Sequence, residues 1–265
     1  MKQRLITGIV AGGFFLGICW LGGLTYHVLV LLMALIGFYE FVRMTKLPAF
    51  GGSAILGYLG ILYLVFPWEL LGIARPLDAY AALWLFMLLF LAVTVISKNE
   101  QPIGQMALLY LGVVYIGVGF SSMAEMRSTS DGNGLFWTLL MLAAIWSSDA
   151  GAYFTGRRFG RHKLWPVISP NKTVEGALGG VVMAIGVAVL FALASDGLLT
   201  VGLAVLLGAS AAVVGQFGDL IQSAYKRVYG IKDSGKLLPG HGGILDRCDS
   251  WIAVFPFIHI LLYYV

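Results

Sequence analysis

The sequence predicts an all-α, polytopic integral membrane protein with about nine transmembrane helices and a cytoplasmic N-terminus. Three observations lead there. Hydrophobic residues fill 59% of the 265 positions and charged residues 11%, with a mean hydropathy of +0.89, too apolar for one or two soluble domains. The apolar runs approach the roughly 20 residues that cross a bilayer core. Lys and Arg fall almost wholly on one side of the topology those runs define.

In chain order, spans are expected near 5–22, 25–43, 53–73, 78–97, 104–125, 134–154, 174–195, 198–225 and 249–265. Lys2 and Arg4 before the first apolar run resemble a signal peptide, but no small-residue cleavage site follows in a polar context, so this run is an anchor. With the N-terminus inside, 15 of the 17 Lys and Arg lie on the cytoplasmic side, leaving Arg75 and Arg127 outside. The net charge of +4 is therefore a topology signal with some attraction for anionic headgroups or phosphates, and no nucleic acid is implied. Many of the 35 glycines suit close helix packing; the pairs Gly8 with Gly12 and Gly176 with Gly180 have the four-residue spacing of such contacts. Cys19 and Cys248 belong at opposite membrane faces, which excludes a disulfide between them within one chain.

Polar residues divide the chain into 1–130, a helical scaffold with few interior polar groups, and 131–265, which carries two long basic cytoplasmic loops, Thr155 to Thr173 and Lys226 to Arg247. Chemistry is expected in the second part. Glu40, near the inner end of the second span, reads as a helix-end partner for Arg43 or nearby backbone.

The densest polar stretch runs from Ser223 to Asp249 and holds nine side chains of the Lys, Arg, His and Asp types. Asp219 lies ~32 Å along a helix starting near Leu198, at interface depth, and Asp219, Ser223 and Lys226 share one helical face. The last span is so short that Asp246 and Asp249, three apart, must also begin at the cytoplasmic boundary. Carboxylates at one depth suit Mg²⁺, which takes one or two of them and completes its shell with water and phosphate oxygens. Pro239-Gly240-His241-Gly242-Gly243 is suited to turning backbone N–H groups toward an anion, beside the positive end of the last helix; the same glycines also suit a plain re-entry turn. The run Gly230 to Lys236 nearly matches a P-loop, but Leu237 stands in the Ser/Thr position and a helix precedes it. No His/Cys spacing suits zinc.

A second constellation is Ser169 to Gly176, where Asn171 or Thr173 caps a helix and Lys172, with free N–H groups, suits a phosphate. An ordinary helix start explains it equally well. Asn171-Lys172-Thr173 is formally a glycosylation sequon but lies inside. Asp149, ~22 Å along a helix from Gly134, is an ionisable group within the membrane; such groups mark functional interiors by default, with hydrogen-bonded packing against Ser147, Ser148 or Tyr153 as the alternative.

Ser223, Lys226-Arg227, Lys232-Asp233, Gly235, Pro239, His241-Gly242-Gly243, Asp246-Arg247 and Asp249 together resemble the signature of the phosphatidate cytidylyltransferase, or CDP-diacylglycerol synthase, family. Segments Asp149–Tyr153 and Ser169–Gly176 are similar to family segments as well, while Tyr225 and Cys248 depart from the usual aliphatic, Met or Phe residues. The resemblance implies transfer of a cytidylyl group from CTP to phosphatidate with one or two Mg²⁺ ions, in the cell membrane with the site facing the cytoplasm. On it, Asp219, Asp246, Asp249 and Lys226 are catalytic, the three Asp holding metal. Asn171, Lys172, Thr173, Ser223, Arg227, Lys232, Asp233, His241, Gly242, Gly243, Arg247 and Asp149 would contact substrate. Together with the Gly-rich first half it also suggests a homodimer. The rivals are a lipid kinase or related phosphotransferase, which residue chemistry alone does not separate, and a secondary transporter, whose site belongs near the midplane.

Overall fold

The structure, a computed structural model, describes residues 2–237, 239–240 and 242–264, with side chains described from residue 6 onward. These residues form nine α-helices and one two-stranded sheet. In order they are α1 (Lys2–Leu21), α2 (Gly23–Met44), α3 (Gly52–Val65), α4 (Ala79–Ile96), α5 (Ile103–Arg127), α6 (Gly134–Phe159), β1 (Lys163–Trp165), β2 (Ser169–Thr173), α7 (Val174–Leu193), α8 (Val201–Val228) and α9 (Leu245–Tyr264). Six of them, α2 and α4 to α8, are long and apolar enough to cross a membrane.

Two sequence expectations change. The third span was placed at 53–73, but α3 stops at Val65 after 14 residues, or ~21 Å of helix against a ~30 Å bilayer core. Pro67 is the cause: it pushes the residue before it out of the helical region, and Phe66 is extended with ψ 136°. The loop placed at Thr155–Thr173 is instead the last turn of α6 followed by an antiparallel hairpin, with Lys163 opposite Thr173 and Trp165 opposite Ser169. Pro170 is tolerated because both strands of a two-stranded sheet are edges.

The chain divides into two compact units, Met1–Ser128 with Asp233–Arg247, and Thr129–Lys232 with Cys248–Val265. In the first, α2, α3 and α5 pack around Phe38, Phe41 and Ile61, each at most 1% exposed. At Gly112 a Cβ would lie 2.6 Å from the Phe41 ring, so only glycine lets α5 approach α2 there. Arg127, ending α5, donates from Nε to the Cys19 carbonyl at 2.7 Å and from Nη2 to that of Trp20 at 3.2 Å, a cation on the last carbonyls of α1. Among the described residues nothing lies within 4 Å of a Cβ at Gly12, on α1.

In the second unit, α7 presents Gly176, Gly180, Ala184, Ala188 and Ala192, every fourth residue, as its buried face. At Gly180 a Cβ would stand 2.8 Å from the Ser148 carbonyl of α6, and at Gly176 the same distance from that of Ala152, which is the small-residue contact the spacing predicts. The hairpin is tied to α8 by Trp165 packing edge-on to Phe217, 5.9 Å between ring centres, and by Arg227, whose Nε donates to the Ile168 carbonyl at 3.1 Å.

Candidate active site

In the second unit the polar groups gather where β2 enters α7 and where α8 nears its end. Thr173 is the cap of α7, its Oγ1 accepting from the Gly176 amide at 3.1 Å. That fixes the neighbouring Lys172, whose Nζ forms an ion pair with Asp219 Oδ2 at 2.5 Å and reaches the Gln216 carbonyl at 3.5 Å. Ser223, one turn beyond Asp219 on α8, donates from Oγ to Asp219 Oδ1 at 3.3 Å. Both oxygens of Asp219 are thus engaged, one by a cation and one by a hydroxyl, while its side chain stays 36% exposed. Gln216 donates to the Ala177 carbonyl at 3.1 Å and to Ser148 Oγ at 3.4 Å, so it joins α6, α7 and α8.

Asp249 follows on α9. Its Oδ1 accepts the Ser250 amide at 2.8 Å, and Ser250 Oγ donates to the Gly215 carbonyl at 3.0 Å, setting α9 against α8. A Cβ at Gly218 would collide with the Asp249 carbonyl at 2.5 Å, so this approach also needs glycine. The charges that act on Asp249 are those of Asp219, Lys226 and Asp149. Three carboxylates and a lysine therefore share one electrostatic neighbourhood, with Asp149 exposed on α6.

In the first unit the glycine-rich loop encloses carboxylates of the protein itself. Asp246 Oδ2 accepts the Ser234 amide at 2.7 Å, the Gly243 amide at 2.9 Å and Ser234 Oγ at 3.0 Å. Glu40, from α2, accepts the Ile244 amide on Oε1 and the Leu245 amide on Oε2, each at 3.0 Å, and Ser234 Oγ, whose single proton the two acids share, also stands 3.0 Å from Oε2. Glu40 is 3% exposed and Asp246 8%. Gly242 has φ +87°, and a Cβ there would stand 2.5 Å from Asp246 Oδ2. Of the amides of residues 239–243 that the sequence aims at a bound anion, that of Gly243 is donated to Asp246. Glu40 is the residue sequence reasoning missed: the structure corrects its role from a partner of its own helix end to an acceptor for a segment some 200 positions away. Its only signal was a carboxylate inside an apolar span.

Among the described residues no three His, Cys, Asp or Glu side chains form a group able to hold a metal ion. Asp246 Oδ2 is turned into the loop, where it accepts the Ser234 and Gly243 amides. Asp219 and Asp249 still offer the oxygen-only donors that suit Mg²⁺, an ion that needs no more than one or two carboxylates. Asn171, Arg227, Lys232, Asp233 and Arg247 are exposed, and Lys226 is half-buried near the end of α8. His241 lies outside the described residues.

A multi-pass helical membrane protein with acidic, basic and hydroxyl side chains collected near helix ends is the class these features define. The chain belongs to the cytidylyltransferase family, whose model matches residues 2–265. It is 40% identical over 267 residues to a phosphatidate cytidylyltransferase of Bacillus subtilis, covering 99% of this chain and 97% of that protein. Proteins of the same name from Staphylococcus saprophyticus and Staphylococcus aureus are 38% and 37% identical, each comparison covering 99% of both chains.

Proposed function

We propose that this chain transfers a cytidylyl group from CTP to phosphatidate, giving CDP-diacylglycerol and pyrophosphate, in the cell membrane with its site on the cytoplasmic side. The observation that carries the reading is the Lys172–Asp219 ion pair with Ser223 beside it, in a chain 40% identical to a phosphatidate cytidylyltransferase along its whole length. A cation able to meet a triphosphate stands against a carboxylate able to hold a divalent ion.

Lys172, with Asn171 and Thr173 at the start of α7, meets the phosphates of CTP. Lys226 and Arg227, ending α8, meet the lipid phosphate; Arg227 uses Nε to hold the hairpin, and a guanidinium has five N–H donors in all. Ser223 orients Asp219, and Asp219 with Asp249 would hold Mg²⁺. That ion, when bound, neutralises charge on the triphosphate. Asp246 serves as the acid of the loop from which Asp249 follows three residues later, while Lys232, Asp233, His241, Gly242, Gly243 and Arg247 complete the substrate surroundings, with Asp149 behind Asp249. A phosphatidate oxygen attacks the α-phosphorus of CTP as its bond to the bridging oxygen of the β-phosphate breaks, and pyrophosphate leaves. Positioning and charge neutralisation carry the rate, without a covalent protein intermediate.

The charge distribution supports a cytoplasmic N-terminus. The open glycines of α1, Gly12, Gly13 and Gly17, support a homodimer packed through that helix. Purified full-length protein given phosphatidate, Mg²⁺ and CTP labelled in the cytosine should yield labelled lipid and equimolar pyrophosphate. Free CDP with an unlabelled, newly phosphorylated lipid would replace this reading by a kinase. For orientation, single cysteines at positions 163 and 236, in a chain lacking Cys19 and Cys248, should resist an impermeant thiol reagent in intact cells; labelling of both from outside inverts the topology.

A further inference from the structure

We propose that Glu40 is a positioning residue of the reaction: from α2 it clamps the loop 234–245 and fixes the first turn of α9, on which Asp246 and Asp249 stand. The inference rests on the cytidylyl-transfer reading above, and its evidence lies wholly within the first unit.

A helix begins with amides that have no acceptor inside it, and a local side chain normally supplies one. Here the local sequence is Gly243-Ile244-Leu245, without a polar side chain. Asp246 reaches back to the Gly243 amide at 2.9 Å, as the third residue of a capping box does. The Ile244 and Leu245 amides still need acceptors, and Glu40 supplies one oxygen to each at 3.0 Å. Its negative charge also opposes the positive end of the helix. Ser234 couples the two acids, its Oγ standing 3.0 Å from both Glu40 Oε2 and Asp246 Oδ2. Gly235 and Gly243 carry no side chain because a Cβ at either would collide with the Glu40 carboxylate. Those glycines, within the segment that resembles the family signature, are thus shaped around a carboxylate from the other end of the chain.

Glutamine at position 40 keeps the size of the side chain but offers one oxygen where Ile244 and Leu245 require two acceptors, so one amide would face an NH₂ group. In full-length purified protein, Glu40→Gln is expected to lower kcat at least ~10-fold, the effect of one lost charge-assisted hydrogen bond. KM for CTP and for phosphatidate should stay within about twofold, since the clamp touches neither substrate. Hydrogen exchange at the Ile244 and Leu245 amides should quicken by ~10-fold or more for the same reason. Glu40→Asp, which keeps both oxygens, should lie between Glu40→Gln and the unaltered chain on both measures. Unaltered kcat in Glu40→Gln, or unaltered exchange at both amides, overturns the proposal, as does a Glu40→Asp protein no better than Glu40→Gln. Should Glu40→Gln not accumulate, Glu40→Asp carries the test alone: slower turnover with faster exchange supports the clamp, and unaltered values of either refute it. Exchange needs no turnover, so a chain that makes no CDP-lipid would defeat the functional reading while leaving the clamp to be decided.

Discussion

Two pairs of acids, one in each compact unit, are held in opposite ways. Glu40 and Asp246 are buried and satisfied by backbone amides and one serine hydroxyl. Asp219 instead pairs with Lys172, while Asp249 accepts one amide, that of Ser250, and lies in the field of Asp219, Lys226 and Asp149. A carboxylate anchored on amides holds backbone in place, and removing it leaves buried donors unpaired. A carboxylate held by a cationic side chain can exchange that partner for a metal ion, which frees the cation to meet a phosphate. In the proposed reading the first pair shapes the site and the second carries the chemistry.

The sharpest way to break this contrast is to neutralise one acid from each pair. Asp219→Asn should lower turnover by at least ~100-fold, the scale of losing a group that stabilises charge in the transition state, while thermal unfolding moves little. Asp246→Asn should lower turnover comparably and also cost ~1–3 kcal/mol of stability, because its three hydrogen bonds inside the loop lose their ionised acceptor. Equal stability losses in the two variants, measured by thermal unfolding in detergent, would erase the distinction.

A smaller effect separates the cations within the second pair. Lys172→Ala should weaken kcat/KM for CTP by ~10- to 100-fold, the loss of one charge-assisted contact, whereas Lys226→Ala should act on phosphatidate use or on kcat. Initial rates with each substrate varied in turn decide it, and identical, purely lipid-side effects from both variants would reassign Lys172. The smallest effect belongs to Thr173→Ala, which removes the cap of α7 and should cost ~1 kcal/mol of stability. Its activity should fall only as far as Lys172 is displaced. A loss matching that of Lys172→Ala would show Thr173 to be a substrate contact in its own right.

Much of the site was legible because membrane sequences contain few polar residues, so each cluster stands out. Asp219 and Ser223 are selected by spacing and depth and Lys172 by its place at a helix start, and Asp219 joins the other two. Thr173 was selected as a cap and is one. The glycine spacing of α7 was read correctly because a four-residue period places small side chains on one face whatever that face meets. Other features were hidden. Arg227, singled out for a phosphate, also donates from Nε to the Ile168 carbonyl of the hairpin, a contact that residue spacing does not announce. The hairpin itself reads as loop, since strands of three and five residues, with Pro166 in the turn and Pro170 in the second strand, carry no strand pattern.

The sequence by itself determined the helical membrane class and the identity of the polar groups near the ends of α7, α8 and α9. These follow from local composition and period, which act within a few turns of chain. Only the tertiary structure decided which acids stand on amides and which on cations. That outcome depends on long-range partners: Lys172 meets Asp219 across 47 positions, and Glu40 meets Leu245 across 205. No periodicity encodes such a pairing. It arises when buried donors left over at one helix start find the acceptor that another helix carries into the same dry interior.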